Sequence, residues 1–187
     1  MKRADPPAIA LLELSSIARA MRTGDAVVKR AEVQIALAEA VSPGKYLILI
    51  TGFEAEVEES WRAGRADAGD ALVSCLYLPG VHGDVVDAVH GADRTLQDDL
   101  SLGVIETGDV ASAIVAADAA CKEAPVTLLE LRLGKGIGGK GVFTLSGELW
   151  DVQASIEAAT RSIEDRRSLV GREIIARPDL AFRGRLS

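Results

Sequence analysis

The stretch Ile17-Ala18-Arg19-Ala20-Met21-Arg22-Thr23-Gly24-Asp25-Ala26-Val27-Val28-Lys29 decides the fold, because the chain contains it twice. A shift of 93 positions lays it on Val110-Ala111-Ser112-Ala113-Ile114-Val115-Ala116-Ala117-Asp118-Ala119-Ala120-Cys121-Lys122. Five residues are identical across this overlay (Ala18, Ala20, Asp25, Ala26 and Lys29), and Ile17, Met21, Gly24 and Val28 fall on Val110, Ile114, Ala117 and Cys121. Those four recur at i, i+4, i+7 and i+11, the spacing of one helix face, and predict a buried stripe. Working outward, Glu13 falls on Glu106, Ala31 on Ala124 and Val33 on Val126. After a two-residue difference in a loop, Gly44-Lys45 falls on Gly139-Lys140, Gly52 on Gly147, Val57 on Val152, Ser60 on Ser155 and Ala63 on Ala158. Self-similarity at a fixed offset over most of a chain marks a tandem duplication.

Each copy reads strand, helix, strand, strand, helix, strand. In the first, apolar residues 8–14 form a strand after the Pro6-Pro7 breaker, and Ser15 or Ser16 caps the helix. Residues 33–41 and 46–51 are strands around the turn Ser42-Pro43-Gly44, 53–65 a second helix, and 71–78 the last strand. A short helix or turn follows at 81–89. This order resembles the ferredoxin-like arrangement and places the chain in the α+β class: two tandem domains, each a four-stranded antiparallel sheet with its helices on one face. The expected domains are 8–91 and 100–180, joined by a polar linker at 92–99, with flexible tails at 1–7 and 181–187. The opposite face of each sheet is expected to need a partner or a polar surface.

Composition narrows the function. A formal net charge of −7 disfavours a sequence-independent nucleic-acid binder. No apolar run reaches the roughly 18 residues of a membrane span, and the amino terminus lacks a signal-type apolar segment, so a cytoplasmic location is expected. Cys75 and Cys121 lie in apolar contexts without metal-ligand spacing, so no metal site is expected. The carboxylates Glu54, Glu56, Glu58 and Glu59 sit at a helix start, where they complement the dipole. No nucleophile is paired with a base, and no catalytic residue is assigned.

Residues 134–141 carry five glycines in eight positions between two apolar runs. Gly134 to Lys140 fits G-x-x-x-x-G-K, but Gly141 stands where a magnesium-binding hydroxyl belongs and a strand follows where a helix should open. A loop of bare backbone of this kind approaches another polypeptide or a symmetry axis. Lys135 reads as a solvated flanking lysine, with a charged loop mouth as the alternative.

The duplicated pieces together resemble the tandem-domain class of bacterial microcompartment shell proteins. They are residues 10–18 with 24–29, residues 103–107 with 117–122, the loops 42–45 and 136–140, and Ile174-Ile175-Ala176-Arg177-Pro178. Within the class the chain looks most like the propanediol-utilisation type. The resemblance implies a homotrimer forming a pseudohexameric tile with a central pore for small metabolites. It implies hexameric single-domain shell proteins and pentameric vertex proteins as partners, and the microcompartment shell as location. Ser42, Pro43, Gly44, Gly136, Ile137, Gly138 and Gly139 are then pore-lining, and Lys29, Lys122 and Arg177 are tile-edge residues. The edge arginine matches in the second copy only, since the first has Leu78-Pro79-Gly80 there. The propanediol type carries a cysteine before Pro-Gly-Lys, and three of these hold an iron–sulfur cluster. Here the position is Ser42, a poor ligand, and no cofactor is expected. The alternative is a tandem ferredoxin-like regulatory module that binds a small molecule, a function the fold alone does not separate from the first.

Overall fold

The structure is a computed structural model that describes residues 7–92, 94–179 and 181. Apart from Pro7 and Ala181, the expected tails lie outside the described residues. The chain divides into two compact units between Val86 and Asp87.

The first unit contains β1 (Pro7–Leu14), α1 (Ile17–Arg30), β2 (Gln34–Val41), β3 (Lys45–Phe53), α2 (Glu54–Ala68) and β4 (Leu72–Pro79), and α3 (Gly83–Val89) starts within it. The second contains β5 (Ser101–Thr107), α4 (Val110–Glu123), β6 (Thr127–Leu133), β7 (Gly141–Gly147), α5 (Leu149–Ser162) and β8 (Leu169–Ile175). The sheets run β2-β3-β1-β4 and β6-β7-β5-β8, and every paired neighbour is antiparallel. β1 and β2 therefore point the same way with β3 between them, which is the split crossover read from the element order. Even the irregularities repeat. The β1–β4 register shifts between Glu13 and Leu14 and the β5–β8 register between Glu106 and Thr107, while the hairpins shift at 35/37 and 128/130. Bulges recurring at equivalent positions belong to the design of the sheet, because each bends its strand and re-aims the residues beyond it.

The first unit's core joins alternate residues of β1 (Ala8, Ala10, Leu12, Leu14) and β3 (Ile48, Ile50) to Ala20 and Val27 of α1 and Val57 and Ala68 of α2. The other β1 and β3 residues, Ile9, Leu11, Leu47 and Leu49, are also fully buried. Both faces of these central strands are therefore covered, as their unbroken apolar runs require. Ser16 caps α1, its Oγ accepting from the Arg19 N–H at 3.2 Å, while Ser15 turns away to donate to the Ala71 carbonyl.

The stripe predicted for the first helix is one residue out of phase in the first copy. Ile17, Met21 and Val28 are exposed, and the residues facing the core are Ala20, Thr23 and Val27. The equivalent residues of α4, Ala113, Ala116 and Ala120, are fully buried as well, so the two helices share this core-facing stripe. A Cβ at Gly64 would lie 2.6 Å from Val27 Cγ2 and 2.4 Å from Leu12 Cδ1, so the missing side chain of Gly64 is what lets α2 close down on Val27. In α4 the stripe is buried as predicted, including Cys121.

Candidate functional site

In both copies the segment with functional promise is the hairpin loop between the second and third strands, together with the charged pair beneath it. The first loop is a tight turn, with the Gly44 N–H donating to the Val41 carbonyl at 3.0 Å and Gly44 at φ +82°. Ser42, Pro43 and Gly44 are exposed. The second loop is longer and folds on itself: the Gly134 N–H donates to the Lys140 carbonyl (2.8 Å) and the Gly139 N–H to the Gly134 carbonyl (3.1 Å). Gly134, Gly136, Gly138 and Gly139 have φ between +69° and +81°, the left-handed region where a Cβ is penalised. No atom lies within 4 Å of a Cβ built on Gly44, Gly136 or Gly138, so within the chain these glycines are required by backbone shape alone. Gly136 and Gly138 are exposed, Ile137 and Gly139 are half-buried, and Lys135 is exposed on the flank.

Beneath each loop lies the same ion pair. Lys45 Nζ meets Glu13 Oε1 at 2.8 Å, and Lys140 Nζ meets Glu106 Oε1 at 2.7 Å. Strand register brings them together: Glu13 stands opposite Leu47 across the β1–β3 ladder, and Glu106 opposite Val142 across β5–β7. Glu13 is buried and Glu106 is half-buried. The repeat marked all four residues in the sequence, but only the fold shows that they pair.

The loop roots differ. In the first copy Tyr46 follows the lysine and donates its hydroxyl to the Ala38 carbonyl at 2.9 Å. In the second, Gly141 takes that place, because α4 comes close enough to put Ala113 Cβ 2.3 Å from where a Gly141 Cβ would stand. Thr107 Oγ1 locks this root, 2.8 Å from the Asp109 carbonyl and 3.2 Å from that of Gly141. Asp109 caps α4, accepting from the Ser112 N–H and Oγ–H at 2.8 Å and from Ser168 Oγ. Burial pushes its carboxyl up, yet these three hydrogen bonds and the Arg166 charge outweigh that and hold it below the ordinary carboxylate range.

Lys29 and Lys122 sit in the last turns of α1 and α4, where a cation is favoured by the helix dipole. Each pairs at 2.6 Å with the aspartate four residues earlier, Asp25 or Asp118. The settings differ, since Asp25 is exposed whereas Asp118 is buried. Arg177 is exposed beyond β8 with φ +52°, and the first copy places Gly80 at φ +61° beyond β4. The backbone turn is therefore common to both copies, but only the second puts a side chain on it, at a conformational cost of about 1–2 kcal/mol.

The carboxylates at the start of α2 behave as a solvated face: Glu58 pairs with Arg62 at 2.6 Å and Glu59 with Arg30 Nε at 2.9 Å. Among the described residues no three His, Cys, Asp or Glu side chains gather as a metal-ligand set. No helix of the described residues is long and apolar enough to cross a membrane.

Comparison with known proteins agrees with this two-copy geometry. The BMC domain model matches residues 8–81 and again residues 101–178. The bacterial microcompartment shell protein PduT of Citrobacter freundii is 37% identical over 171 residues, covering 91% of this chain and 92% of that protein. The shell protein PduK of Salmonella typhimurium is 38% identical over 78 residues, 42% of this chain and 48% of that protein. The crystal structure of a microcompartment protein from Desulfitobacterium hafniense DCB matches with a TM-score of 0.89 and 40% identity, over 93% of this chain and 96% of that one. Two BMC domains in tandem, each with its own glycine loop and ion pair, place this chain in the BMC-domain family as a bacterial microcompartment shell protein of the tandem-domain class.

Proposed function

We propose that three copies of this chain form a pseudohexameric tile, in which the loops at 42–44 and 136–139 alternate around a central pore that passes small metabolites. The observation that carries this reading is the repeated unit of loop and carboxylate–lysine pair: each chain supplies it twice, so a ring of three supplies six near-equivalent tips. Left-handed glycines with open space around them suit tips that meet neighbours across an axis, where side chains would crowd. Lys29, Lys122 and Arg177 are exposed or half-exposed cations at element ends, suited to donate to carbonyls of adjoining tiles. The adjoining tiles are hexameric single-domain shell proteins, with pentameric proteins at the vertices. The chain itself is a wall and conduit and carries no catalysis.

Native mass tests the tile. Light scattering at low and high salt is expected to give a three-chain species that associates further at low salt. The Lys29→Asp, Lys122→Asp double variant is expected to keep three chains and lose the larger assemblies. A wild-type protein that stays a monomer or dimer would leave the pore without an axis.

The pore is proposed to hold no iron–sulfur cluster. A cluster needs thiolate or imidazole ligands, whereas the exposed residue before Pro43 is Ser42, whose hydroxyl is a poor ligand. Purified protein is expected to be colourless with iron far below one atom per trimer; a brown protein with stoichiometric iron and sulfide would refute this.

A further inference from the structure

A pocket of about 520 Å³ opens at one end of the first sheet, within the size range of small-molecule sites. Strand register builds its floor: Pro7 of β1 stands opposite Phe53 of β3, and Gln34 of β2 opposite Thr51. The connection from α1 to β2 closes one side. A Cβ on Gly52 would lie 3.7 Å from the Glu32 carbonyl oxygen and 3.8 Å from Val33 Cα, so the backbone at 32–33 packs against the end of β3 and brings Glu32 and Phe53 to one pocket. Val33, Val86 and Phe53 are its apolar wall, and Phe53 is 56% exposed. Glu32 and Glu56 are its charged residues, and among the described residues no lysine or arginine lines it. The next carboxylates of α2 have cations, Arg62 for Glu58 and Arg30 for Glu59. Among the described residues Glu32 and Glu56 have none. The second copy keeps the backbone, with the Gly147 Cβ position 3.5 Å from the Pro125 carbonyl oxygen, but puts Pro125 in place of Glu32 and Glu148 in place of Phe53.

We propose that this pocket binds a small organic ammonium ion, its charge held by Glu32 and Glu56 and its apolar body laid against Phe53, Val33 and Val86. Two carboxylates without a cation attract a positive charge, and an exposed ring face adds to that attraction. The apolar wall selects among cations. It gives a carbon skeleton a surface to cover, whereas a divalent metal ion needs six or more oxygen ligands that this lining does not supply. The substitutions at Pro125 and Glu148 remove one carboxylate and the aromatic face, so each chain carries the site once. All of these residues belong to the first unit of a single chain, and the site does not depend on the tile.

Methyl NMR of the full chain with labelled valines, titrated with benzylammonium chloride, tests the pocket. The Val33 and Val86 methyl resonances are expected to shift saturably, with one ligand bound per chain. Glu32→Gln and Glu56→Gln are each expected to raise the Kd about fivefold, and Phe53→Leu about threefold. Neither glutamate loses a partner within the described chain, so far-ultraviolet circular dichroism of the glutamine variants is expected to match wild type. Benzyl alcohol, similar in shape but uncharged, is expected to bind about tenfold more weakly. Equal affinity for the alcohol and the ammonium ion, unchanged affinity in both glutamine variants, or no saturable shift of either valine would overturn the proposal. Magnesium chloride that moves the same resonances and displaces benzylammonium would also overturn it, in favour of a metal site. Light scattering on the same samples keeps the two readings apart: a three-chain species that binds nothing overturns the pocket alone, and a monomer that binds keeps the pocket and overturns the tile.

Discussion

Gly141→Ala is expected to destabilise the second unit by about 3 kcal/mol, the upper end of the usual overpacking range. The added Cβ would stand 2.3 Å from Ala113 Cβ, 2.9 Å from Thr107 Oγ1 and 3.2 Å from the Asp109 carbonyl. None of these can swing aside: Ala113 Cβ is fixed to the α4 backbone, and Thr107 is buried and bonded to two carbonyls. The helix must lift from the root of the loop, opening the packing of α4 on β7. Hydrogen exchange of the β7 amides, with urea unfolding, measures the loss. Gly136→Ala is the contrast, because its Cβ meets nothing within 4 Å and only the left-handed φ of +72° is penalised, at about 1 kcal/mol. Equal losses for the two variants would mean that packing against α4 does not set the identity of residue 141. Partial recovery in Gly141→Ala, Ala113→Gly would confirm the contact directly.

Lys45→Met should cost the first unit about 3 kcal/mol. Its partner Glu13 has a side chain 5% exposed, and a carboxylate left there without its cation keeps its desolvation penalty and loses the compensating attraction. The Lys45 side chain is itself 34% exposed, so the loss belongs at the low end of the range for a broken buried pair. The matching change in the second unit, Lys140→Met, is expected to cost about 1 kcal/mol or less, since there both side chains reach water and surface pairs contribute little. Urea titrations of the two variants give the comparison. Similar values would remove burial as the reason for the difference, and a Glu13→Met, Lys45→Met double variant more stable than Lys45→Met would identify the stranded charge as the cause. Because these pairs sit beneath the loops, their loss also frees the hairpin ends that the proposed pore requires to be fixed.

Much of this site was legible before any coordinate. The helix-end lysines, the two glycine loops and the carboxylates Glu13 and Glu106 stand out because each occurs twice at matching offsets, and duplication preserves what both copies need. The pairing of Glu13 with Lys45 was not legible: 32 residues separate them, and only the β1–β3 register makes them neighbours. The core-facing stripe of α1 was hidden for a related reason. Ile17, Met21, Gly24 and Val28 have helix periodicity, and so do Ala20, Thr23 and Val27 one residue away. A period tells that one face is apolar, but it does not tell which of two adjacent stripes meets the sheet. In α1 the smaller stripe meets the core, where Gly64 admits α2 against Val27, and the larger apolar stripe faces outward.

By itself, then, the sequence determined the duplication, the order and type of the elements, the antiparallel four-stranded plan and the family, because these follow from periodicity and from residues that recur along the chain. The tertiary structure decided which helix face is open, which carboxylate is buried under which lysine, and why a glycine rather than a tyrosine begins β7. Those depend on distances between side chains far apart in sequence. Close packing resolves a difference of a single methyl group, and the linear pattern of apolar and polar residues does not.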